Sequence, residues 1–116
     1  MPFTLRWTIE ADTNYRQLQT AAEKAAATSV AKGRTKSSKQ QGLFKQIQKT
    51  LRLLQSDPRH NSLHCHEYSG LTNPYNPSDK VWEAYAQNNT PAAYRVFWCY
   101  GKDRGEITIL AITAHP

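Results

Sequence analysis

A chain of 116 residues is long enough to bury one core and too short for two, so residues 1–116 are expected to form a single domain. Apolar residues make up 39% of it, which indicates a folded protein and excludes an intrinsically disordered one. Fifteen Lys and Arg oppose nine Asp and Glu, and the resulting formal net charge of +6 favours polyanionic partners over acidic or neutral ones.

The N-terminal third predicts a strand and then a helix. From Phe3 to Ile9, apolar and polar side chains alternate, which is typical of a strand with one buried face. An Ala-rich segment follows, with Asp12 or Thr13 available as a helix cap and Gly33 placed to end the helix.

A second helix is predicted after a polar and basic turn over residues 32–40. From Gly42 onward the large apolar residues fall on one helical face, and Pro58 ends the segment after Ser56 and Asp57. Burying that face displays the cations of the opposite face outward. The two helices are therefore expected to form an antiparallel hairpin.

The C-terminal half predicts strands. A loop rich in Pro, Asn and Gly covers residues 69–79, and a strand follows over 80–86. Residues 94–100 and 106–113 are strongly β-prone on both faces, as central strands are, and 101–105 connects them as a hairpin. The whole order predicts an α+β fold in which an N-terminal strand and a two-helix hairpin pack on a small antiparallel β-sheet of four to five strands.

Cations are concentrated in one stretch of the chain. Between Glu23 and Asp57 there is no acidic residue, whereas solvated helix faces usually mix both signs. A phosphate backbone would be attracted to such a stretch, and a merely solubilising surface is the alternative. The predicted phosphate contacts in this stretch are Lys32, Arg34, Lys36, Lys39, Lys45, Lys49 and Arg52.

No targeting segment and no apolar run long enough to span a bilayer are recognisable, so a soluble cytoplasmic protein without membrane contact is expected. Cys65 and Cys99 are too few for a disulfide framework and are expected to be reduced thiols. His64 and His66 would point the same way in a strand, but no second pair with metal-ligand spacing accompanies them. Neither a metal nor another cofactor is therefore expected.

The last third of the chain carries a family resemblance. Tyr94-Arg95-Val96-Phe97-Trp98 is followed by Ile107-Thr108-Ile109-Leu110-Ala111-Ile112 and then by His115. With the order of elements, these segments resemble the RelE/ParE superfamily of toxin–antitoxin toxins over nearly the whole chain. The resemblance implies a toxin that cleaves mRNA at the ribosome without a metal and is silenced by a cognate antitoxin. Some members poison DNA gyrase instead, and a non-catalytic module that binds nucleic acid or the ribosome is a further alternative.

An RNase of this kind needs a base for the 2′-hydroxyl, a group that stabilises negative charge on phosphorus, and an acid for the leaving oxygen. The resemblance assigns Arg95 to the phosphate and His115 to proton transfer. An ion pair of Arg95 with Glu83 or Glu67, and a frayed terminal His115, are the structural alternatives. Glu67 and Glu83 are also candidate bases.

Aromatic residues and one further cation complete the predicted RNA contacts. Trp7, Trp82 and Trp98 alternate on strands, which favours core packing over stacking on bases. Tyr85 and Tyr94 are the aromatic candidates for a base contact, and Lys80 is a further candidate for RNA or ribosome binding.

Overall fold

The computed structural model describes residues 2–33, 39–87 and 93–114. In chain order the elements are strand β1 (Thr4–Trp7), helix α1 (Ile9–Ala31), helix α2 (Lys39–Ser56), a 3₁₀ turn (Asn61–Leu63), and strands β2 (His66–Glu67), β3 (Trp82–Tyr85), β4 (Tyr94–Tyr100) and β5 (Glu106–Ala114). The predicted α+β fold class is confirmed. No helix in these three ranges is long and apolar enough to cross a membrane.

The five strands form one sheet in the order β1-β5-β4-β3-β2. The chain from β2 to β5 pairs antiparallel throughout, as predicted. The prediction of an entirely antiparallel sheet is wrong at one edge, because β1 runs parallel to β5, with Thr4 opposite Glu106. Alternating side chains indicate a strand but not which strand will lie beside it or in which direction that strand runs.

Helix α1 begins earlier than predicted. Thr8 is its N-cap, and the Thr8 hydroxyl accepts a hydrogen bond from the Ala11 amide at 3.1 Å. Asp12, one of the two predicted caps, lies inside the first turn and pairs with Arg16. Ile9 continues the apolar alternation of β1, but it starts the helix and is 88% exposed.

Helix α2 follows the predicted pattern closely. It begins at Lys39 and ends at Ser56, just before Pro58. Ile47, Leu51 and Leu54 are buried against the sheet, and the cations Lys45, Lys49 and Arg52 are exposed on the other face, as predicted.

The sheet has two different sides. On the helix side, the core contains Val96, Trp98, Ile107, Ile109 and Ile112 together with the buried residues of α2. The opposite side, called the far face below, carries a smaller apolar cluster, whose members are Val81, Phe97, Cys99, Leu110 and Ala111, with Tyr68 packed against it.

The loop over residues 69–79 covers one end of the far face. The Tyr75 hydroxyl lies 2.8 Å from the Thr108 hydroxyl, which donates a hydrogen bond to the Gly101 carbonyl at 2.8 Å. Glu83 and Arg95 lie on the same face, in β3 and near the start of β4.

Candidate active site

Arg95 stands near the start of β4 on the far face, and only 8% of it is exposed. Its guanidinium carbon lies 3.7 Å from the centre of the Tyr85 ring, which is its cross-strand neighbour. Its Nη1 donates hydrogen bonds to the carbonyl oxygens of Gln87 at 2.6 Å and Tyr94 at 3.3 Å, and Nε is buried without a hydrogen-bond partner among the described residues. The alternative that Arg95 pairs with Glu83 or Glu67 is wrong, because neither carboxylate forms an ion pair with it.

Glu83, one of the two candidate bases, is fully buried on the far face. One of its carboxylate oxygens, Oε1, lies 2.6 Å from Nε2 of His66, its partner in the β2–β3 ladder. The His66 side chain is 47% exposed, so the pair joins a buried carboxylate to an accessible imidazole. Nδ1 of His66 makes a longer contact of 3.2 Å with the carbonyl oxygen of His64.

Tyr85 links these two groups. Its ring centre lies 5.6 Å from that of His66 and 5.6 Å from that of His64, while its face carries the Arg95 guanidinium. An exposed imidazole, a buried carboxylate, a phenol and a nearly buried guanidinium are thus adjacent on one end of the far face. We call His64, His66, Glu83, Tyr85 and Arg95 the His66 cluster.

His64 and His66 are the members of this cluster that sequence reasoning does not select. In the sequence they are only a weak pair of metal-ligand candidates, because a short segment gives no sign of the residues that will lie opposite His66. The signal that identifies His66 is the β2–β3 register, which places it opposite Glu83, and that register is not visible in the sequence.

The other predicted residues do not join the cluster. Glu67 points away from His66, on the opposite side of β2, and pairs with Lys80 at 2.9 Å, so the two candidate carboxylates are separated by the sheet. Tyr94 is half-buried against the helix-side core. Lys32, the C-cap of α1, and Lys39, the first residue of α2, are exposed. Arg34, Lys36 and His115 lie outside the described residues.

Both cysteines are free, and neither is a competent nucleophile in this fold. Burial raises the pKa of the Cys65 thiol, while the indole of Trp98 acts in the opposite direction. Burial, with the nearby Asp79 carboxylate, raises the pKa of the Cys99 thiol to about 11. Both thiols therefore stay protonated near neutral pH.

Comparison with known proteins identifies the fold. No family model and no curated protein matches the chain. The YoeB/ParE toxin of Agrobacterium tumefaciens aligns with a TM-score of 0.62 at 11% identity, over 97% of this chain and 99% of that one. The YoeB dimer of Staphylococcus aureus has a TM-score of 0.56 at 13% identity and covers 100% of both chains. RelE in the archaeal RelE-RelB complex of Pyrococcus horikoshii OT3 has a TM-score of 0.56 at 13% identity, over 98% of this chain and 96% of that one.

The chain thus shares the fold of these solved structures along nearly its whole length. The fold that the resemblance implied is confirmed. At identities of 11–13% the likeness concerns the fold, and function has to be argued from the His66 cluster.

Proposed function

We propose that the protein is the toxin of a toxin–antitoxin module and acts as an endoribonuclease that arrests translation by cutting mRNA at the ribosome. The observation that carries the proposal is the His66–Glu83 pair, in which an accessible imidazole lies 2.6 Å from a buried carboxylate, beside Arg95 on the far face of a RelE/ParE-type sheet.

The proposed chemistry is attack by the ribose 2′-hydroxyl on the adjacent phosphorus. Nδ1 of His66, once it leaves its longer contact with the His64 carbonyl, takes the proton of that hydroxyl as the bond between O2′ and phosphorus forms and the bond between phosphorus and O5′ breaks. An acid then protonates O5′, and His115, assigned by resemblance, is the candidate. Glu83 orients the His66 ring and stabilises its imidazolium form, as a buried carboxylate does in other acid–base pairs.

We assign Arg95 a different role from the direct phosphate contact that the resemblance implies. Its Nη1 is occupied by two backbone carbonyls, and most of the side chain is covered. None of the ion pairs among the described residues includes it, and its positive charge lies just beneath the surface, where the dielectric constant is low. That field favours the extra negative charge of the pentacoordinate phosphorus.

Two kinds of partner follow from the proposal. The exposed cations of α2, together with the exposed side chains of Lys32, Lys39 and Lys80, supply phosphate contacts for RNA and the ribosome. An antitoxin with acidic segments would compete for the same cations, and the RelE structure from Pyrococcus horikoshii OT3 is a complex with RelB.

The decisive experiment is controlled expression combined with RNA cleavage in a purified translation system. We expect growth arrest, disappearance of full-length mRNA, and cleavage products that end in a 2′,3′-cyclic phosphate and a 5′-hydroxyl. An mRNA with a 2′-deoxyribose at the cut site should remain intact, because it lacks the nucleophile. Arrest with intact mRNA and induced DNA damage would reject the ribonuclease in favour of gyrase poisoning.

A further inference from the structure

A cavity lies on the helix side of the sheet and shares His64 with the His66 cluster. It holds about 590 Å³, between the chain that leaves α2 and the ends of β3 and β4. Ligand sites commonly have volumes of roughly 300–1,000 Å³, so the space suits a small planar molecule.

One wall of this cavity is aromatic. The rings of Trp82 and Trp98 are nearly parallel, with an interplanar angle of 23° and centres 6.1 Å apart. Tyr100 meets Trp98 edge-on at 5.0 Å and is 43% exposed. Lys80 lies at the edge of this wall, with its ammonium 5.7 Å from the centre of the Trp82 ring and 2.9 Å from the Glu67 carboxylate with which it pairs.

The facing wall is polar and basic, and its members are Arg59, His60 and Asn61. Arg59 is exposed and forms no ion pair with any described carboxylate. Nδ1 of His60 accepts a hydrogen bond from the Ser62 amide at 3.1 Å, so the neutral ring carries its proton on Nε2 and remains a donor. The cavity therefore combines an aromatic surface with a guanidinium, a ring N–H donor and an amide.

Trp98 lies behind the accessible part of this aromatic wall. It is 1% exposed, its indole Nε1 is buried, and a contact of this indole with the Cys65 thiol acts to lower the pKa of that thiol. Trp82, which is half-buried, and the exposed Tyr100 therefore provide the surface on which a bound ring can stack.

We propose that the cavity binds one nucleobase of single-stranded RNA, with Arg59 on the adjoining phosphate; the choice of RNA rests on the proposed function. Stacking on aromatic rings combined with cationic side chains is how unpaired nucleotides are held. An apolar peptide side chain would use the aromatic wall but leave Arg59 unused.

The position of His64 connects this cavity to the candidate active site. His64 lines the cavity, and its ring also contacts Tyr85 of the His66 cluster, 5.6 Å away between ring centres. An RNA strand that crosses the edge formed by β2 can place a base in the cavity and a neighbouring phosphate at His66. The cavity would then select the base next to the cut.

The test is direct binding by the intact chain. The four nucleoside 5′-monophosphates are titrated by calorimetry, with ribose 5-phosphate as the control that lacks a base. We expect saturable binding of at least one nucleotide and binding of ribose 5-phosphate that is at least about tenfold weaker, since base–aromatic stacking is the main contribution. Equal binding of ribose 5-phosphate, or saturation by an aromatic peptide and by no nucleotide, would overturn the proposal.

Matched variants locate the site. Trp82→Leu and Arg59→Gln should each weaken nucleotide binding about tenfold, whereas Trp7→Leu and Arg104→Gln, which change the same residue types elsewhere, should not. Arg59 is exposed, so its replacement keeps the test valid if Trp82→Leu unfolds the protein. Unchanged binding in Arg59→Gln and in a folded Trp82→Leu would reject the cavity. Nucleotide binding without RNA cleavage would reject the nuclease and leave the cavity intact.

Discussion

At the scale of single residues, the most informative side chain is Arg95, because backbone carbonyls hold it instead of a carboxylate. Its Nη1 bonds tie the start of β4 to Gln87, just beyond β3, and its stacking on Tyr85 fixes the plane of the guanidinium. An ammonium group has neither the planar shape nor the fixed fork needed for both contacts. Arg95 therefore supports the fold as well as the charge of the site.

We expect Arg95→Lys to lower the free energy of unfolding by about 1–3 kcal/mol, the usual effect of removing hydrogen bonds made by a charged group in a buried place. Urea unfolding of the purified protein measures it. Arg52→Lys on the exposed face of α2 is the control and should change stability by less than about 0.5 kcal/mol. Equal stabilities for the wild type and Arg95→Lys would show that the carbonyl contacts contribute nothing.

The proton-transfer role of His66 has its own signature in RNA cleavage. His66→Gln should slow cleavage by about 10²-fold or more, the usual contribution of a general acid or base. Glu83→Gln should slow cleavage by a smaller factor and alter the dependence of the rate on pH. The His66 ring then loses its carboxylate partner, while Tyr85, His64 and Arg95 remain near it. Glu23→Gln, which removes an exposed carboxylate of α1 away from the cluster, is the control. Full activity in His66→Gln would remove this residue from the mechanism.

At the scale of elements, an ion pair links the parallel strands β1 and β5. The Glu106 carboxylate accepts a hydrogen bond from the Asp103 amide at 2.9 Å and pairs with Arg6 on β1. The Asp103 amide, followed by Arg6, lowers the pKa of Glu106. The charged form is thus favoured by folding. Its contribution to stability is present above the unfolded glutamate pKa of about 4.3 and is lost as the pH falls through the folded pKa.

We therefore expect Glu106→Gln to be less stable than the wild type near neutral pH, with a difference that shrinks as the solution is acidified below about pH 4. Denaturant midpoints measured across this range test the expectation. Glu23→Gln, at an exposed helix position, controls for the general effect of removing a carboxylate. A difference that persists unchanged into acid would mean that the amide and Arg6 contacts do not depend on the charge of Glu106.

Some features of the elements could be predicted from the sequence, and others could not. The faces of β4 were predictable because Val96 and Trp98 alternate with Arg95 and Phe97, and the structure buries them on opposite sides of the sheet. The start of α1 could not be predicted, because its N-cap depends on a hydrogen bond between the Thr8 hydroxyl and the Ala11 amide. The His66 cluster was predicted only in part, since its central contact depends on strand register. Sequence periodicity predicts which side of the sheet a side chain faces, but not which residue lies opposite it on the neighbouring strand.

The exposed cations of α2 allow a test of whether RNA binding depends on where the positive charges lie or only on the net charge of the protein. Replacing Lys45, Lys49 and Arg52 with Gln should weaken binding of single-stranded RNA and reduce the slope of log K against log salt by about 0.7 for each phosphate that these side chains neutralise. Replacing Arg16, Lys102 and Arg104 with Gln removes the same charge from other exposed positions. If both triple variants reduce the slope equally, α2 attracts RNA only through the overall charge of the molecule.

At the scale of the whole molecule, the shape is elongated, with extents of 51 × 26 × 25 Å and a radius of gyration of 15.1 Å. Helix α1 has 23 residues, which corresponds to about 35 Å, and its buried positions are Ala11 and Ala22. Beyond Ala22 its side chains are half-buried or exposed, and Val30 is 78% exposed. The far end of α1 consequently has little apolar burial to hold it, whereas β4 and β5 lie in the middle of the sheet.

This difference predicts a gradient of local stability that amide hydrogen exchange can measure. Amides in residues 26–31 should exchange at least about tenfold faster than those of β4 and β5, because helical structure without apolar packing opens locally while central strands exchange through global unfolding. Repeating the measurement at several protein concentrations separates the properties of one chain from those of an assembly. Protection of residues 26–31 that equals that of the strands and rises with concentration would mean that a second copy covers the end of α1. Equal protection at every concentration would contradict the gradient itself, because α1 would then unfold together with the sheet.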